Sequence, residues 1–194
     1  MISEKMTELG KNRSVIREIF EYSKKRAAEI GAENVFDFSL GNPNVPAPEE
    51  VHQVFKELLD TRDDVYLFGY TSAQGDLEVR KAIADDLNRR FQTNFRPDNF
   101  YMTCGAAASL RITLEAMTVP GDEYIIFTPY FPEYKVFVEA AGGRFVPAAT
   151  NGETFQIDFD RLEAAVNEHT KGIFVNSPNN PSGVVFTEES ILRL

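Results

Sequence analysis

An asparagine-rich loop is the segment of this sequence whose residue types most clearly indicate binding chemistry. It reads Asn176-Ser177-Pro178-Asn179-Asn180-Pro181-Ser182-Gly183 and follows an apolar run, Gly172-Ile173-Phe174-Val175. Such a run, ended by Asn, Pro and Gly, is typical of a buried parallel strand that stops in a turn. Open α/β sheets bind ligands at this end of their strands, and the two prolines restrict the backbone around the central amides. We predict rigid amide groups facing a ligand, although the motif alone also fits a plain strand-to-helix loop.

A second candidate segment opens a predicted helix with small residues: Thr103-Cys104-Gly105-Ala106-Ala107-Ala108-Ser109-Leu110. Backbone N–H groups at a helix N-terminus bind phosphate without a cationic side chain, because the helix leaves them unpaired and its dipole favours an anion. The segment is neither a Gly-Lys-Thr/Ser nucleotide loop nor a Gly-x-Gly-x-x-Gly fingerprint, which weakens an ATP or dinucleotide interpretation. Close packing of the helix on a sheet is the alternative reason for small residues here.

A third segment, Thr128-Pro129-Tyr130-Phe131-Pro132-Glu133-Tyr134, places three aromatic residues between and after two prolines. Proline is compatible with the first turn of the helix that follows. An aromatic ring held at this position can stack on a planar heterocycle, which contributes about 0.5–1.5 kcal/mol beyond burial. The alternative is that the aromatic residues form a core or rim cluster, and for Tyr134 we favour that alternative.

These segments are positioned by a regular alternation of strands and helices that begins near Asn99. The pattern predicts strands over residues 100–103, 124–128, 144–147 and 172–176, with helices over 106–117, 132–141 and 159–167 and another opening near Thr187. Strands that alternate with helices of this length need crossover connections, and therefore a mostly parallel sheet. The predicted fold class is α/β, a mostly parallel sheet with helices on both faces.

The part of the chain before residue 99 is less regular. An amphipathic helix is predicted over residues 14–30, with Ser14 as its N-cap and Gly31 as its stop. A short strand is predicted over residues 35–40, running into Gly41, and further helices over 49–59 and 77–91. Tyr70 lies between these helices and is predicted to be in a loop.

Composition limits the classes of function. The chain has 194 residues, a formal net charge of -10 and 43% hydrophobic residues, which is an ordinary globular composition without the clustered basic residues of a nucleic-acid-binding face. Its one cysteine, Cys104, cannot form an internal disulfide, which suits a reducing compartment. We predict a cytoplasmic protein with no nucleic-acid partner, no membrane span and no metal site.

Taken in the order in which they occur along the chain, the three segments resemble those of pyridoxal-phosphate-dependent aminotransferases of class I/II, the fold-type-I family that includes aspartate aminotransferase. The resemblance runs from Phe38-Ser39-Leu40-Gly41-Asn42-Pro43 through Tyr70-Thr71-Ser72-Ala73-Gln74-Gly75 to Asn179-Asn180-Pro181-Ser182-Gly183. It implies an N-terminal helix and arm over residues 1–48. It also implies that residues 49–194 are the N-terminal part of the cofactor-binding large domain, truncated at its C-terminal end.

The resemblance also assigns roles toward the cofactor, pyridoxal 5'-phosphate. It implies that Gly105, Ala106 and Ala107 hold the phosphate, that Phe131 stacks on the pyridine ring, and that Asn180 hydrogen-bonds to the phenolic oxygen of the ring. The family often has Ser or Thr at the two alanine positions and Tyr or Trp at the phenylalanine position. The phosphate would therefore depend here on backbone amides, without a hydroxyl from those two residues.

Two further roles concern the substrate and a partner subunit. The resemblance implies that Gly41 lies beside the substrate carboxylate and that Tyr70 reaches the phosphate held by the neighbouring subunit of a two-fold homodimer. The implied substrates are an amino acid and a 2-oxo acid. Which amino acid is used does not follow from these residues.

Three catalytic groups of the family come after the Asn180 motif and are not among these 194 residues. They are the Schiff-base lysine, the aspartate that pairs with the ring nitrogen, and the arginine that binds the substrate carboxylate. Lys135 and Lys171 lack the family context and are predicted to be surface lysines. We therefore expect an aminotransferase as the parent protein and no catalysis by this segment alone. A carbon-sulfur lyase or synthase of the same fold, or a non-catalytic binding or interaction domain, are the alternatives.

Overall fold

The computed structural model describes residues 2–11, 15–41 and 45–194, and the chain divides into two compact units, Met1–Tyr70 and Thr71–Leu194. In the described part of the first unit the helices are α1 (Glu4–Lys11), α2 (Val15–Ile30), α3 (Glu49–Thr61) and α4 (Asp64–Phe68). The second unit contains the helices α5 (Leu77–Phe91), α6 (Ala106–Met117), α7 (Glu133–Ala140), α8 (Phe159–Ala165) and α9 (Glu188–Arg193). Its strands are β1 (Glu123–Thr128), β2 (Arg144–Ala149) and β3 (Thr170–Phe174).

The first unit consists of amphipathic helices that bury little. The helix α2 ends at Ile30 as predicted, and Gly31 follows with φ 92° and donates its N–H to the carbonyl of Ala27 at 3.0 Å. The predicted cap, Ser14, lies outside the described residues. Among the described residues of α2, α3 and α4 none is buried. These helices therefore follow the amphipathic sequence pattern, while their apolar faces remain largely open.

The predicted strand over residues 35–40 is wrong, because this segment is irregular in the structure. The N–H of Val35 donates to the carbonyl of Ala32 at 3.2 Å, and the N–H of Ser39 donates to Oδ1 of Asp37 at 2.8 Å. Local side-chain and turn hydrogen bonds of this kind compete with the ladder of a sheet. Asn42 and Pro43, which belong to the motif that carried the resemblance, lie outside the described residues.

A parallel sheet forms the centre of the second unit. Its strand order is β2-β1-β3, and both neighbours run parallel to β1. All six residues of β1 are buried or half-buried, as expected for a parallel strand covered on both faces. The α/β class and the mostly parallel sheet are confirmed.

Helices cover both faces of this sheet, and each face has its own apolar cluster. One cluster joins the side chains of β1 that point to the first face with α8 and with the segment before α9: Ile125, Phe127, Ala148, Ile157, Leu162 and Phe186. The other joins the opposite side chains of β1 with α6 and α7: Leu114, Tyr124, Ile126 and Val138. The alternation along β1 thus places the carboxyl ends of the strands between two layers of helices.

The predicted strand over residues 100–103 is also wrong, since the segment forms no ladder in the described structure. Its backbone is extended at Phe100, with φ -118° and ψ 140°, but the N–H of Met102 donates to the carbonyl of Gln74, a loop residue, at 2.9 Å. An extended segment becomes a strand only where another strand pairs with it. The predicted domain division at residue 48 concerns a complete enzyme and stays a prediction.

Candidate cofactor site

A cavity of about 360 Å³ opens at the carboxyl edge of the sheet, where the sequence predicts ligand binding. It lies between the start of α6, the first turn of α7 and the residues that follow β3, and its lining consists of Ala106, Ser109, Leu110, Tyr134, Phe174, Val175 and Asn176. No residue of this lining carries a charge. An anion bound here would therefore depend on backbone amides and neutral side chains.

The start of α6 offers its backbone to this cavity. Gly105 precedes the helix with φ 91° and ψ 171°, a conformation essentially restricted to glycine, and it provides no side-chain cap. Ala106 and Ala107 are exposed, and the first amides of a helix have no acceptor within the helix. A Cβ added to Gly105 would meet no atom within 4 Å, so the space beside this backbone is open to a ligand.

The hydroxyl groups of Thr103 and Ser109 lie at the carbonyl of Gly105. Oγ1 of Thr103 donates to the carbonyl of Gly105 at 3.0 Å and lies 2.6 Å from Oγ of Ser109. The N–H of Ser109 donates to the same carbonyl at 3.2 Å, as the first hydrogen bond of the helix. Both side chains are half-buried. The loop before α6 is therefore fixed by side chains that precede and follow it.

An aromatic wall stands on the opposite side of the cavity. The Tyr134 ring packs against Phe174 with centroids 5.2 Å apart, and Phe131 meets Tyr134 edge-on at 5.5 Å. Burial raises the pKa of the Tyr134 hydroxyl above its ordinary value of 10.0, so this residue is neutral at physiological pH. The prediction that Tyr134 belongs to a core or rim cluster is confirmed, because it is half-buried and packs against the cluster of Leu114, Tyr124, Ile126 and Val138.

The asparagine-rich loop follows β3 on this same edge. Asn176 lines the cavity and accepts the N–H of Asn180 on Oδ1 at 2.8 Å, while its Nδ2 donates to the carbonyl of Pro178 at 3.0 Å. Asn179 turns inward and accepts the hydroxyl of Ser182 at 2.8 Å. The Asn180 residue is exposed, and its position is fixed through its backbone.

The structure thus brings the start of α6 and the asparagine-rich loop to one edge. Phe131 is not part of the cavity lining and meets the ring of Tyr134, which is part of it. Ala106 and Asn176 line the same cavity, and the backbone N–H of Asn180 donates a hydrogen bond to the side chain of Asn176. The other two predicted residues, Gly41 and Tyr70, belong to the first unit, where both are exposed. The functional roles of all these residues stay predictions.

The amino edge of the same strands is built differently. Glu123, at the start of β1, is buried and accepts Nδ2 of Asn167 at 2.9 Å and Nε of Arg144 at 2.8 Å. The hydrogen bonds from Asn167 and Arg144 lower the pKa of this carboxyl below its ordinary value of 4.5. Lys171 lies at this edge too, with Nζ 3.8 Å from Oδ2 of Asp122. These charged groups form ion pairs with one another.

Within residues 2–11, 15–41 and 45–194, no group of three or more His, Cys, Asp or Glu side chains is placed to hold a metal ion. In the same ranges, no helix combines the length and the apolar character that crossing a membrane requires.

Comparison with known proteins decides the family. Residues 33–194 match the model of the family described as "Aminotransferase class I and II". This chain belongs to that family. Class I and II aminotransferases depend on pyridoxal phosphate, and the uncapped amides, the open space beside Gly105 and the uncharged aromatic cavity fit the phosphate and the planar ring of this cofactor.

Individual class I and II aminotransferases resemble the chain over nearly its whole length. The aspartate aminotransferase of Thermotoga maritima is 31% identical over 191 residues, which cover 97% of this chain and 48% of that protein. The probable aspartate/prephenate aminotransferase of Thermus aquaticus is 33% identical over 172 residues, covering 87% of this chain and 44% of that protein. A crystal structure of an aminotransferase from Eubacterium rectale has a TM-score of 0.95 and 57% identity, covering 100% of this chain and 49% of that one. The chain spans about half the length of these aminotransferases.

Sequence reasoning did not identify Thr103 and Ser109 as functional candidates. Both lie within the small-residue segment, six positions apart, on either side of Gly105. A hydroxyl residue before a helix and another in its first turn are a usable signal, because such side chains commonly hydrogen-bond to nearby backbone groups.

Proposed function

We propose that this chain supplies the phosphate and ring contacts of a pyridoxal-phosphate-dependent aminotransferase that transfers an amino group between an amino acid and a 2-oxo acid. The observation that carries the proposal is the uncharged cavity that joins the start of α6 to the loop after β3. The cofactor, when bound, accepts the amino group of one substrate and delivers it to the other.

The backbone of α6 is proposed to bind the phosphate. The N–H groups of Ala106 and Ala107 and the open backbone of Gly105 would hold its oxygens, and the dipole of a 12-residue helix favours a bound anion. Because the family's hydroxyl residues are replaced by alanines here, these amides carry more of the binding than side chains do.

The two other loops are proposed to orient the ring. Phe131 would lie against the face of the pyridine ring, with the Tyr134 ring edge-on to it at 5.5 Å. The exposed side-chain amide of Asn180 would donate to the phenolic oxygen, with its backbone held by Asn176. Both contacts fix the plane of the ring and exclude water from one of its faces.

Two lysines, Lys135 and Lys171, bear on a further part of the proposal, that the 194-residue chain does not transaminate by itself. Lys171 pairs with Asp122 at the amino edge of the sheet, at the opposite end of the strands from the cavity. Lys135 extends along α7 toward Glu139, with 3.8 Å between Nζ and Oε1. Neither lysine lines the cavity.

The compartment, the oligomeric state and the substrate of the enzyme are also proposals. We place it in the cytoplasm, because the exposed thiol of Cys104 suits a reducing compartment. We propose a homodimer in which Gly41 lies beside the substrate carboxylate and Tyr70 reaches the phosphate of the partner subunit. The relatives are named for aspartate and for aspartate/prephenate, so a dicarboxylic amino acid is the first substrate to assay.

The proposal is tested on the complete protein by titration with pyridoxal phosphate, followed by absorbance, and then by adding an amino acid. We expect saturable cofactor binding, formation of the corresponding 2-oxo acid, and return of the amino group to an added 2-oxo acid. Release of ammonia or sulfide without amino transfer would favour a lyase. Absence of cofactor binding would favour a non-catalytic domain and contradict the proposal.

A further inference from the structure

The carbonyl of Gly105 is the most heavily hydrogen-bonded group at the start of α6. It accepts the N–H of Ser109 at 3.2 Å and the hydroxyl of Thr103 at 3.0 Å, and Oγ of Ser109 lies 3.5 Å away. A helix of this kind ordinarily receives its side-chain cap on the amides of its first turn. Here the hydroxyl of Thr103 bonds to the carbonyl instead, and the amides are left for a ligand.

Each of these two hydroxyls carries one proton. Thr103 is the nearer donor to the carbonyl of Gly105, at 3.0 Å against 3.5 Å for Oγ of Ser109. With the Thr103 proton on the carbonyl, the proton of Ser109 lies in the 2.6 Å contact between the two hydroxyls. Ser109 therefore supports Thr103, and Thr103 holds the Gly105 peptide.

We infer that Thr103 and Ser109 are positioning residues that hold the Gly105 peptide so that the amides following it face the phosphate. The inference rests on the proposed function and adds to it, because nothing in the family resemblance assigns these two hydroxyls a role. Gly105 has no Cβ to restrict its backbone, and its φ of 91° is one of several that glycine adopts readily. Hydrogen bonds to its carbonyl remove that freedom before the ligand arrives, which lowers the entropy lost on binding.

The composition of the loop explains why hydrogen bonds to the carbonyl of Gly105 matter for phosphate binding in this chain. Ala106 and Ala107 contribute no hydroxyl, so the phosphate depends on the direction of backbone N–H groups. The direction of these groups is set by the peptide on the N-terminal side of the helix. A small rotation at Gly105 would turn an amide away from the phosphate without unfolding α6.

The experiment compares pyridoxal 5'-phosphate with pyridoxal, which lacks the phosphate, as ligands of the complete protein. Their dissociation constants are measured for the wild type and for Thr103→Val, Thr103→Ser and Ser109→Ala, together with the melting temperature of each apoprotein. Thr113→Val, at an exposed position of the same helix, is the matched control for loss of a hydroxyl.

We expect Thr103→Val to weaken binding of pyridoxal phosphate about tenfold, the order of one net hydrogen bond, and to leave pyridoxal binding unchanged. Ser109→Ala should have a smaller effect in the same direction, and Thr103→Ser and Thr113→Val should behave as the wild type. A purely structural role would instead lower the melting temperature and weaken both ligands alike.

Three results would overturn the inference. Equal weakening of both ligands would show a structural role, and loss of affinity in Thr103→Ser would assign the effect to the methyl group rather than to the hydroxyl. If Thr103→Val leaves both affinities unchanged while the wild type still prefers pyridoxal phosphate, Thr103 does not position the Gly105 peptide for the phosphate. The proposed function would not be affected by that result. A wild type that does not prefer pyridoxal phosphate over pyridoxal would contradict the proposed function itself.

Discussion

The two ends of strand β1 differ in whether the polar groups near them have hydrogen-bond partners within the protein. At the amino end, the buried carboxylate of Glu123 is bonded to Asn167 and Arg144, so its charge is matched within the protein. At the carboxyl end, the first amides of α6 have no side-chain cap, and Asn180 is exposed beside the cavity. Polar groups that serve only stability are usually satisfied internally, whereas groups left open at a cavity are available to a ligand. We interpret the difference as one between a structural edge and the proposed binding edge.

A substitution in the middle of β1 should damage both ends, and we expect the largest effect from it. Ile125 is fully buried between the layers, so Ile125→Ala should lower the free energy of unfolding by about 2–5 kcal/mol through the cavity it leaves. Urea unfolding of the purified protein measures this loss. Ile125→Val is the control, with an expected loss of about 0.5–1.5 kcal/mol. Equal stability of Ile125→Ala and the wild type would show that the core lies elsewhere.

The next largest effect should come from outside the second unit. If the proposed dimer contact is made, Tyr70→Phe in the complete protein should weaken pyridoxal phosphate binding by about 1.5–3 kcal/mol, because a charged phosphate loses a hydroxyl donor. Equilibrium titration of the apoprotein measures the change. Tyr66→Phe, in α4 of the same unit, should leave the affinity unchanged. If both variants bind the cofactor as the wild type does, Tyr70 has no role at the phosphate.

Two glycines allow the binding edge to be compared with the structural edge. Gly105 and Gly142 have similar φ values, 91° and 87°, and a Cβ on either would meet no atom within 4 Å. Gly142 lies just before β2, at the amino edge. Alanine at either position should cost about 1–3 kcal/mol of stability through backbone strain. Only Gly105→Ala should also weaken pyridoxal phosphate binding in a titration. An equal loss of affinity in Gly142→Ala would erase the distinction between the edges.

A smaller effect is expected at the aromatic wall. Phe131→Leu should lower the affinity for pyridoxal phosphate about two- to tenfold, because it removes stacking of about 0.5–1.5 kcal/mol while keeping an apolar side chain. Fluorescence titration gives the affinity, and Phe91→Leu, an exposed aromatic position on α5, is the control. Tighter binding by Phe131→Leu would show that the ring of Phe131 does not face the cofactor.

The smallest effect should be at the amino edge, since the Arg144 side chain is 68% exposed and exposed ion pairs contribute little. The lowered pKa of Glu123 stabilises the fold above the ordinary value of 4.5, and this stabilisation is lost as the pH falls through the lower pKa of the folded state. Arg144→Gln raises that pKa toward 4.5. Urea unfolding should therefore show a small deficit at neutral pH that disappears in acid, with cofactor affinity unchanged. A deficit that grows in acid would reverse the assigned sign.

The fold could be predicted from sequence where local pattern and packing agree. The bounds of α5 and α6 match their predicted ranges, because apolar periodicity defines both helices and, in α5, the side chain of Asp76 caps the first turn. Residues 35–40 and 100–103 have strand-like sequences but form no ladder among the described residues. A strand depends on a partner that is distant in sequence, and a residue pattern does not reveal whether that partner is present.

The site was predictable at the level of loops and less so at the level of contacts. The position of the Asn180 loop follows from the rule that parallel strands end at the same edge, because the loop comes after β3. The position of the Gly105 segment does not follow from that rule, because residues 100–103 form no ladder in the described structure. The sequence did not reveal that Asn176 holds the backbone of Asn180, or that Thr103 bonds to Ser109. Those bonds depend on backbone dihedral angles in irregular loops, which residue types constrain only loosely.

The most direct test of the contrast between the two edges is a crystal structure of the complete protein grown with pyridoxal phosphate. We predict that the phosphate lies on the backbone amides of Ala106 and Ala107, with the ring beside Phe131 and Asn180. A phosphate found at the amino edge, against Arg144 or Lys171, would contradict the account.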